Sequence, residues 1–320
     1  MLTLLWGLAS ERPLALVRAA LEQLGAPVVL VNQHDVLESA AYLSVGSEVT
    51  GWLRTPAQEI DLEDVTAVYV RAYDATSVPA VAAAGRGSRE WRHATNLDDL
   101  LWAWVEVTPA LVVNRASAML ANGSKPFQLE QVRAAGFLAP STLVTTDPDA
   151  ARAFWEQHGE VIYKSVGGVR SIVSRLGPGH AERLADVATC PTQFQEFVAG
   201  TEHRVHVVGD EVFACRILTH AIDYRYRGEH TVDVQPCELP RDVADRCRAM
   251  AADMRLPVAG VDLRRTPADD WYCFEVNPSP GFDFFQARAG QPIAEAIARL
   301  LVDGAYSAPS AGALARPGHA

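Results

Sequence analysis

The sequence predicts a mixed fold, α/β at its start and α+β afterwards, and three observations carry that expectation. Residues 2–31 read strand, helix, strand, the signature of a small parallel α/β unit. Residues 202–216 and 258–277 each read as two strands joined by a short turn, which makes antiparallel hairpins. Between these blocks, helical periodicity and short apolar runs alternate.

Taken in order, residues 2–8 are an apolar strand. Ser10 stands at the cap position of the next helix, with Pro13 in the first turn. Leu14, Val17, Ala20, Leu21 and Leu24 give that helix one apolar stripe, and Gly25 ends it before the strand Pro27–Val31. No G-x-G-x-x-G occurs, so dinucleotide binding is not supported. Val65–Arg71 is a buried strand that delivers Arg71, Tyr73 and Asp74 to its C-terminal end, where open α/β sheets place ligands. A plain ion pair is the alternative for Arg71. Ala80–Ser88 reads as a small, flexible stretch, Trp91–Val105 as a helix and Pro109–Asn114 as a short strand.

Ser124 is expected to cap a helix holding Lys125 and Pro126 in its first turn. Pro140–Thr145 is a strand, and Asp147-Pro148 opens another helix. Then Lys164 ends a strand and runs towards Gly167 and Gly168, a loose phosphate-site pattern that an ordinary hairpin turn with an exposed lysine also explains. Gln195-Glu196-Phe197-Val198 closes a strand that breaks at Gly200. In the hairpin turning at Gly209-Asp210, Glu202, Arg204 and His206 alternate on one face, and Arg216 is expected near Arg204 on the partner strand. A plain salt bridge is the alternative for each arginine. Asp223 and Arg225 lie in a polar aromatic loop.

The hairpin 258–277 carries the main chemical signal. Glu275 and Asn277 share a face, and Phe274 and Val276 are expected on the other. An antiparallel pairing brings Asp262 near Cys273 and diagonal to Glu275, on the same face. Two carboxylates and an amide oxygen together suit a hard cation such as Mg²⁺, though a solvated sheet face is the plainer reading. Gln291–Val302 is a final helix, and 303–320, rich in Gly, Ala, Pro and Ser, is expected to be a disordered tail.

Composition narrows the function classes. A net charge of −11 argues against general affinity for nucleic acid or an anionic membrane. The five cysteines form no C-x-x-C pair, which speaks against zinc and for a reduced, cytoplasmic protein. Met1–Leu8 lacks the basic start of a secretory signal, and no run spans a membrane.

In sum, the order is a lysine at a helix start, a strand-end lysine before glycines, Gln195-Glu196-Phe197-Val198, an arginine hairpin, Asp262, and Glu275-Val-Asn277-Pro-Ser-Pro-Gly281. This order resembles the ATP-grasp superfamily of carboxylate–amine ligases from about Asn114 to Phe285. Within it, the chain is similar to the branch of ribosomal-protein glutamate ligases and of graspetide (microviridin-type) synthetases. The resemblance implies an ATP-grasp fold, two α+β subdomains clamping ATP behind a small parallel α/β pre-grasp domain. The expected units are 1–113 (pre-grasp), 114–194 (central, with a glycine lid loop), 195–302 (C-terminal, with the metal site) and the tail 303–320.

The same resemblance implies residue roles. Lys125 and Lys164 contact ATP phosphates, and Gly167 and Gly168 belong to the lid. Gln195, Glu196, Phe197 and Val198 form the hinge that reads adenine, and Glu202 holds the ribose. Asp262, Glu275 and Asn277 hold Mg²⁺. Arg204 and Arg216 stabilise the charge of the transferring phosphoryl group, and Arg71, Asp223 and Arg225 line the substrate side. The expected activity is ATP-dependent ligation through an acyl phosphate, on a carboxylate-bearing substrate such as a precursor peptide. A small-molecule amino-acid ligase and a non-catalytic ATP-binding module are the alternatives. The sequence does not read out oligomeric state, and a homodimer is one option.

Overall fold

The computed structural model describes residues 1–166, 173–219 and 231–304. Its first strand, β1 (Leu2–Gly7), is apolar apart from the buried Thr3, because both of its faces are covered. Leu4 and Trp6 enter one core, and Leu5 enters the other. Helix α1 (Arg12–Gln23) crosses to β2 (Val28–Asn32), which lies parallel to β1. The helix cap is Glu11, not Ser10: its carboxylate accepts the Leu14 N–H at 2.8 Å.

An antiparallel sheet that the sequence reading passed over follows, formed by β3 (Ala40–Val45), β4 (Val49–Arg54) and β5 (Glu59–Asp61). Strand β6 (Val65–Arg71) then returns beside β1. The stretch expected to be flexible contains helix α2 (Pro79–Ala84), started by Pro79 in its first turn. Helix α3 (Arg89–Val107) is capped by the Ser88 hydroxyl, and β7 (Leu111–Val113) completes a parallel sheet of order β2-β1-β6-β7.

Short helix α4 (Ala116–Met119) leads to α5 (Lys125–Ala134). Ser124 holds the cap position of α5, but its side chain makes no capping bond. A second antiparallel sheet, order β10-β9-β11-β8, comprises β8 (Thr142–Thr145), β9 (Val161–Ser165), β10 (Ser174–Arg175) and β11 (Thr192–Glu196), with α6 (Pro148–His158) packed on it. A third, of order β14-β13-β12-β15-β16, contains β12 (Thr201–Val208), β13 (Glu211–Thr219), β14 (Val232–Cys237), β15 (Val258–Arg265) and β16 (Trp271–Asn277). One face of this sheet packs on α7 (Arg241–Asp253) through Val243, Cys247 and Met250. Part of its other face is covered by α8 (Asp283–Ala289), through Phe285.

The last helix, α9 (Ile293–Asp303), bridges the sheet that precedes it, through Val208 and Val258, to the parallel sheet. Ile293, Ile297 and Leu301 are buried with Leu14, Val17 and Leu21 of α1 against the parallel sheet. Each such side chain contributes about 1.5–3 kcal/mol by leaving water. Helices α1 and α9 thereby share one core. This mixed architecture, one parallel sheet and three antiparallel ones among the described residues, is the α/β plus α+β class the sequence predicts. No helix among the described residues is long and apolar enough to cross a membrane.

Candidate active site

The site begins at the β15–β16 pair. Asp262 lies directly opposite Glu275, and Gly260 opposite Asn277. The register slips between Asp262 and Leu263, so Cys273 faces Leu263 instead. The extra residue on β16 is Phe274. A bulge of this kind puts two residues against one and resets the alternation of faces. Two expectations are corrected by it. Asp262 meets Glu275 squarely rather than on the diagonal beside Cys273, and Phe274 lines the cleft with Glu275 instead of facing the opposite side. Cys273 is in the core, where burial pushes its thiol well above the usual range.

Arg204 on β12 lies opposite Asp262, and its Nη1 donates to Asp262 Oδ1 at 2.7 Å. The guanidinium side chain is 5% exposed. A charge so deep is tolerated because a carboxylate pairs with it. Space for it comes from Gly260: a Cβ there would sit 2.3 Å from Arg204 Nη2. Arg216 does not join this face. With the turn at Gly209-Asp210, it pairs with His203 and is exposed, its Nη2 bonding Gln235 at 2.7 Å. Burial, with Arg216 adding to it, holds the His203 pKa below the usual imidazole range. The expected neighbourhood of Arg204 and Arg216 is thus corrected: adjacent strand positions face opposite ways.

A cleft opens over this face, lined by Lys164, Gln195, Phe197, Glu202, Asp262, Arg264, Phe274 and Glu275 among others. Lys164 and Gln195 come from β9 and β11, so the cleft lies between two sheets. Gln195 is buried. Its Nε2 donates to Thr142 Oγ1 at 3.0 Å, while Oε1 has no partner among the described residues. A buried orphan acceptor in a cleft wall fits a ligand that brings an N–H donor. Glu196 points elsewhere, accepting the Ser141 N–H at 3.0 Å and lying 3.6 Å from His158 Nδ1. Phe197 has two arginines near its ring, with the Arg175 Cζ 3.9 Å and the Arg264 Cζ 5.7 Å from its centre.

Arg264 is the site residue that sequence reasoning missed. It ion-pairs with Glu202, donates to the Val198 carbonyl at 2.8 Å and lies 5.1 Å from the Phe274 ring. The signal was available: Arg264 follows Asp262 by two and therefore shares its face.

Three side chains grip the backbone that carries Glu275 and Asn277. Gln128 on α5 is doubly bonded to Val276, donating to its carbonyl at 2.8 Å and accepting its N–H at 3.0 Å. That clamp sets α5 against β16; Lys125 stands in the first turn of α5 and is not among the residues that line the cleft. Asn114 Nδ2 donates to the carbonyls of Val258, at 2.7 Å, and of Pro278. Arg71 Nη1 donates to Ser279 Oγ at 2.8 Å and to the Pro280 carbonyl at 3.2 Å. Arg71 also ion-pairs with Glu11, the α1 cap. Burial works against its charge, but Tyr69 and Glu11 outweigh it and raise its pKa. Its ion-pair reading is therefore the one the geometry favours over substrate binding. Gly167, Gly168, Asp223, Arg225 and residues 305–320 of the expected tail lie outside the described residues.

Among the described residues, no three His, Cys, Asp or Glu side chains converge as a metal-binding group. The donors here are two facing carboxylates and the Asn277 amide, whose Oδ1 accepts the Ser279 N–H at 2.9 Å and keeps a second lone pair. So small an all-oxygen set fits Mg²⁺, which keeps water and phosphate ligands of its own.

Comparison with known proteins follows the same lines. A model of the RimK-like ATP-grasp domain matches residues 129–301. A search of curated proteins finds no match. The solved ATP-grasp ligase PsnB, complexed with a phosphomimetic variant of its minimal precursor, Mg and ADP, is 28% identical with a TM-score of 0.77, covering 94% of this chain and 98% of that one. Macrocyclase MdnC from Microcystis aeruginosa MRC, bound with precursor peptide MdnA, has a TM-score of 0.80 at 20% identity over 95% of this chain and 100% of its own. A RiPP-associated ATP-grasp ligase from Chryseobacterium gregarium, in complex with ADP and a leader and core peptide, reaches 0.80 at 23%, over 95% and 97%. These last two speak for the fold. With more than half of its length matched by the family model, this chain belongs to the RimK-like ATP-grasp family.

Proposed function

We propose that the chain is an ATP-dependent ligase that activates a carboxylate as an acyl phosphate and passes it to an amine or hydroxyl, with a peptide as substrate. One observation carries the reading: buried Arg204 is paired with Asp262, which lies opposite Glu275 in a cleft whose walls also hold Lys164 and Gln195. PsnB, complexed with a minimal precursor, Mg and ADP, supports the peptide as substrate.

The chemistry needs such a site. A carboxylate is a poor acyl donor because its leaving group would be an oxide. Transfer of the γ-phosphoryl group supplies a better one, and charge gathers on phosphoryl oxygens during the transfer. Fixed cations in a water-poor cleft stabilise that charge without reorganising. Arg204 is held ready for this by Asp262. Lys125 and Lys164 take the phosphates, Gln195 to Val198 the adenine, and Glu202 the ribose hydroxyls. Mg²⁺ held by Asp262, Glu275 and Asn277 would supply positive charge across the phosphates. Gly167 and Gly168 in the covering loop, and Asp223 and Arg225 on the substrate side, rest on the family resemblance alone. Arg71 and Arg216 are left out of the chemistry on geometric grounds.

The test is to incubate the purified chain with Mg·ATP and short acidic peptides encoded beside its gene. The expected product is lighter by one water per bond, with one ADP released for each. Nucleotide binding without ADP from any peptide or acid–amine pair would refute the ligase reading.

A further inference from the structure

We infer that His206 is a positioning residue for Arg204, a buried neutral imidazole that fixes the direction of the guanidinium. The inference rests on the proposed role of Arg204. His206 follows Arg204 by two on β12, so the two side chains share a face. The imidazole is 0% exposed. Its Nε2 lies 3.4 Å from Arg204 Nε, which donates to it. A guanidinium only donates, so Nε2 must be the unprotonated nitrogen and the ring proton resides on Nδ1. Burial and then the neighbouring Arg204 charge hold its pKa well below the usual value, consistent with a permanently neutral ring.

The surroundings leave Arg204 little freedom of its own. The Arg204 guanidinium fills the space over Gly260, opposite His206, and the Phe285 ring stands 5.2 Å from the imidazole and 5.8 Å from Arg204 Cζ. Asp262 takes Nη1 at one end, and His206 takes Nε at the other. An acceptor at Nε and another at Nη1 of the same planar group together fix the plane of the guanidinium. Apolar contact alone does not account for the choice of residue. A hydrophobic side chain would fill this position without the cost of burying a polar ring.

The experiment compares His206→Leu, which removes the acceptor, with His206→Gln, which keeps one, in the full chain. Calorimetry measures the affinity for Mg·AMPPNP and for AMP, and thermal melting checks the fold. In the Leu variant, Mg·AMPPNP should bind about tenfold more weakly, about 1.4 kcal/mol. AMP affinity should not change, and the Gln variant should recover most of the loss. Equal losses in both variants, or none in the Leu variant, would overturn the inference. If the Leu variant does not fold, the more adaptable His206→Met replaces it with the same expectations. Arg204→Gln measured alongside separates the two levels. If it too binds Mg·AMPPNP normally, the role of Arg204 falls and the inference with it. If it binds weakly while His206→Leu binds normally, only the inference falls.

Discussion

Gly260→Ala isolates the packing around Arg204 from its chemistry. The added methyl carbon would stand 2.3 Å from Arg204 Nη2, 2.7 Å from Arg204 Cζ and 2.7 Å from the Pro280 Cβ. All three are far inside van der Waals contact. A long side chain normally swings clear of such a clash. Here the guanidinium is held by Asp262 and His206, and the Pro280 carbonyl is tied to Arg71. Overpacking of this kind costs about 1–3 kcal/mol. Either yielding path damages the site. If Arg204 moves, the Asp262 pair breaks; if Pro280 moves, Asn277 goes with it. Losing one aligned donor to developing charge typically costs about 10²–10³ in rate, and we expect roughly a hundredfold fall in kcat/KM for ADP release. Far-ultraviolet circular dichroism should show the fold retained, with Tm lowered by a few degrees. A Gly260→Ala protein with unchanged Tm and kcat/KM would refute the claim that the missing side chain makes room for Arg204.

Three further outcomes are expected. Glu275→Gln should abolish ADP release and the Mg²⁺ dependence of nucleotide binding while leaving Tm within a few degrees; normal turnover would remove Glu275 from the metal site. Gln128→Ala strands both the N–H and the carbonyl of buried Val276, a loss of about 2–4 kcal/mol by urea denaturation if each orphaned group costs about 1–2. Asp98 tests the pH dependence of stability. Burial raises its pKa to about 6 against the lowering effect of the Ala75 N–H. The fold therefore favours its protonated form, a contribution full below about pH 4 and lost as pH rises through about 6. Asp98→Asn keeps the neutral form and should add about 1 kcal/mol at pH 7.5, after discounting for partial exposure, with no gain at pH 4. An equal gain at both pH values would reject the assignment.

How much of the site was legible depends on how local the determining physics is. The shared face of Asp262 and Glu275, and the start of α5 just before Lys125, follow from periodicity within a few residues, and both stand. The sheet at 40–61 did not stand out, because its strands are half-buried and carry no strong alternation. Glu11 was passed over as a cap because its role as partner to Arg71 depends on a residue sixty positions away. The grip of Gln128, Asn114 and Arg71 on Val276–Pro280 is likewise long-range, and nothing near those residues in sequence announces it.

Arg216 is the opposite case, a placement that the sequence did contain. A two-residue turn at Gly209-Asp210 pairs Val208 with Glu211, and every later pair follows from that one. Counting outward puts Arg216 against His203 and Arg204 against Cys215. One residue of slip in that count moves a cation from the far face of the sheet to the cleft side. The bulge at Phe274 is the same arithmetic with a defect inserted, and there no turn residue gives warning. Gly260 did give one, since a glycine inside a strand marks close approach by another group. What approaches is Arg204, whose pairing with Asp262 gives this sheet face its charge. The positions to question in a strand of this kind are therefore the residues that appear to do nothing, because the room they leave determines where a charge can be buried.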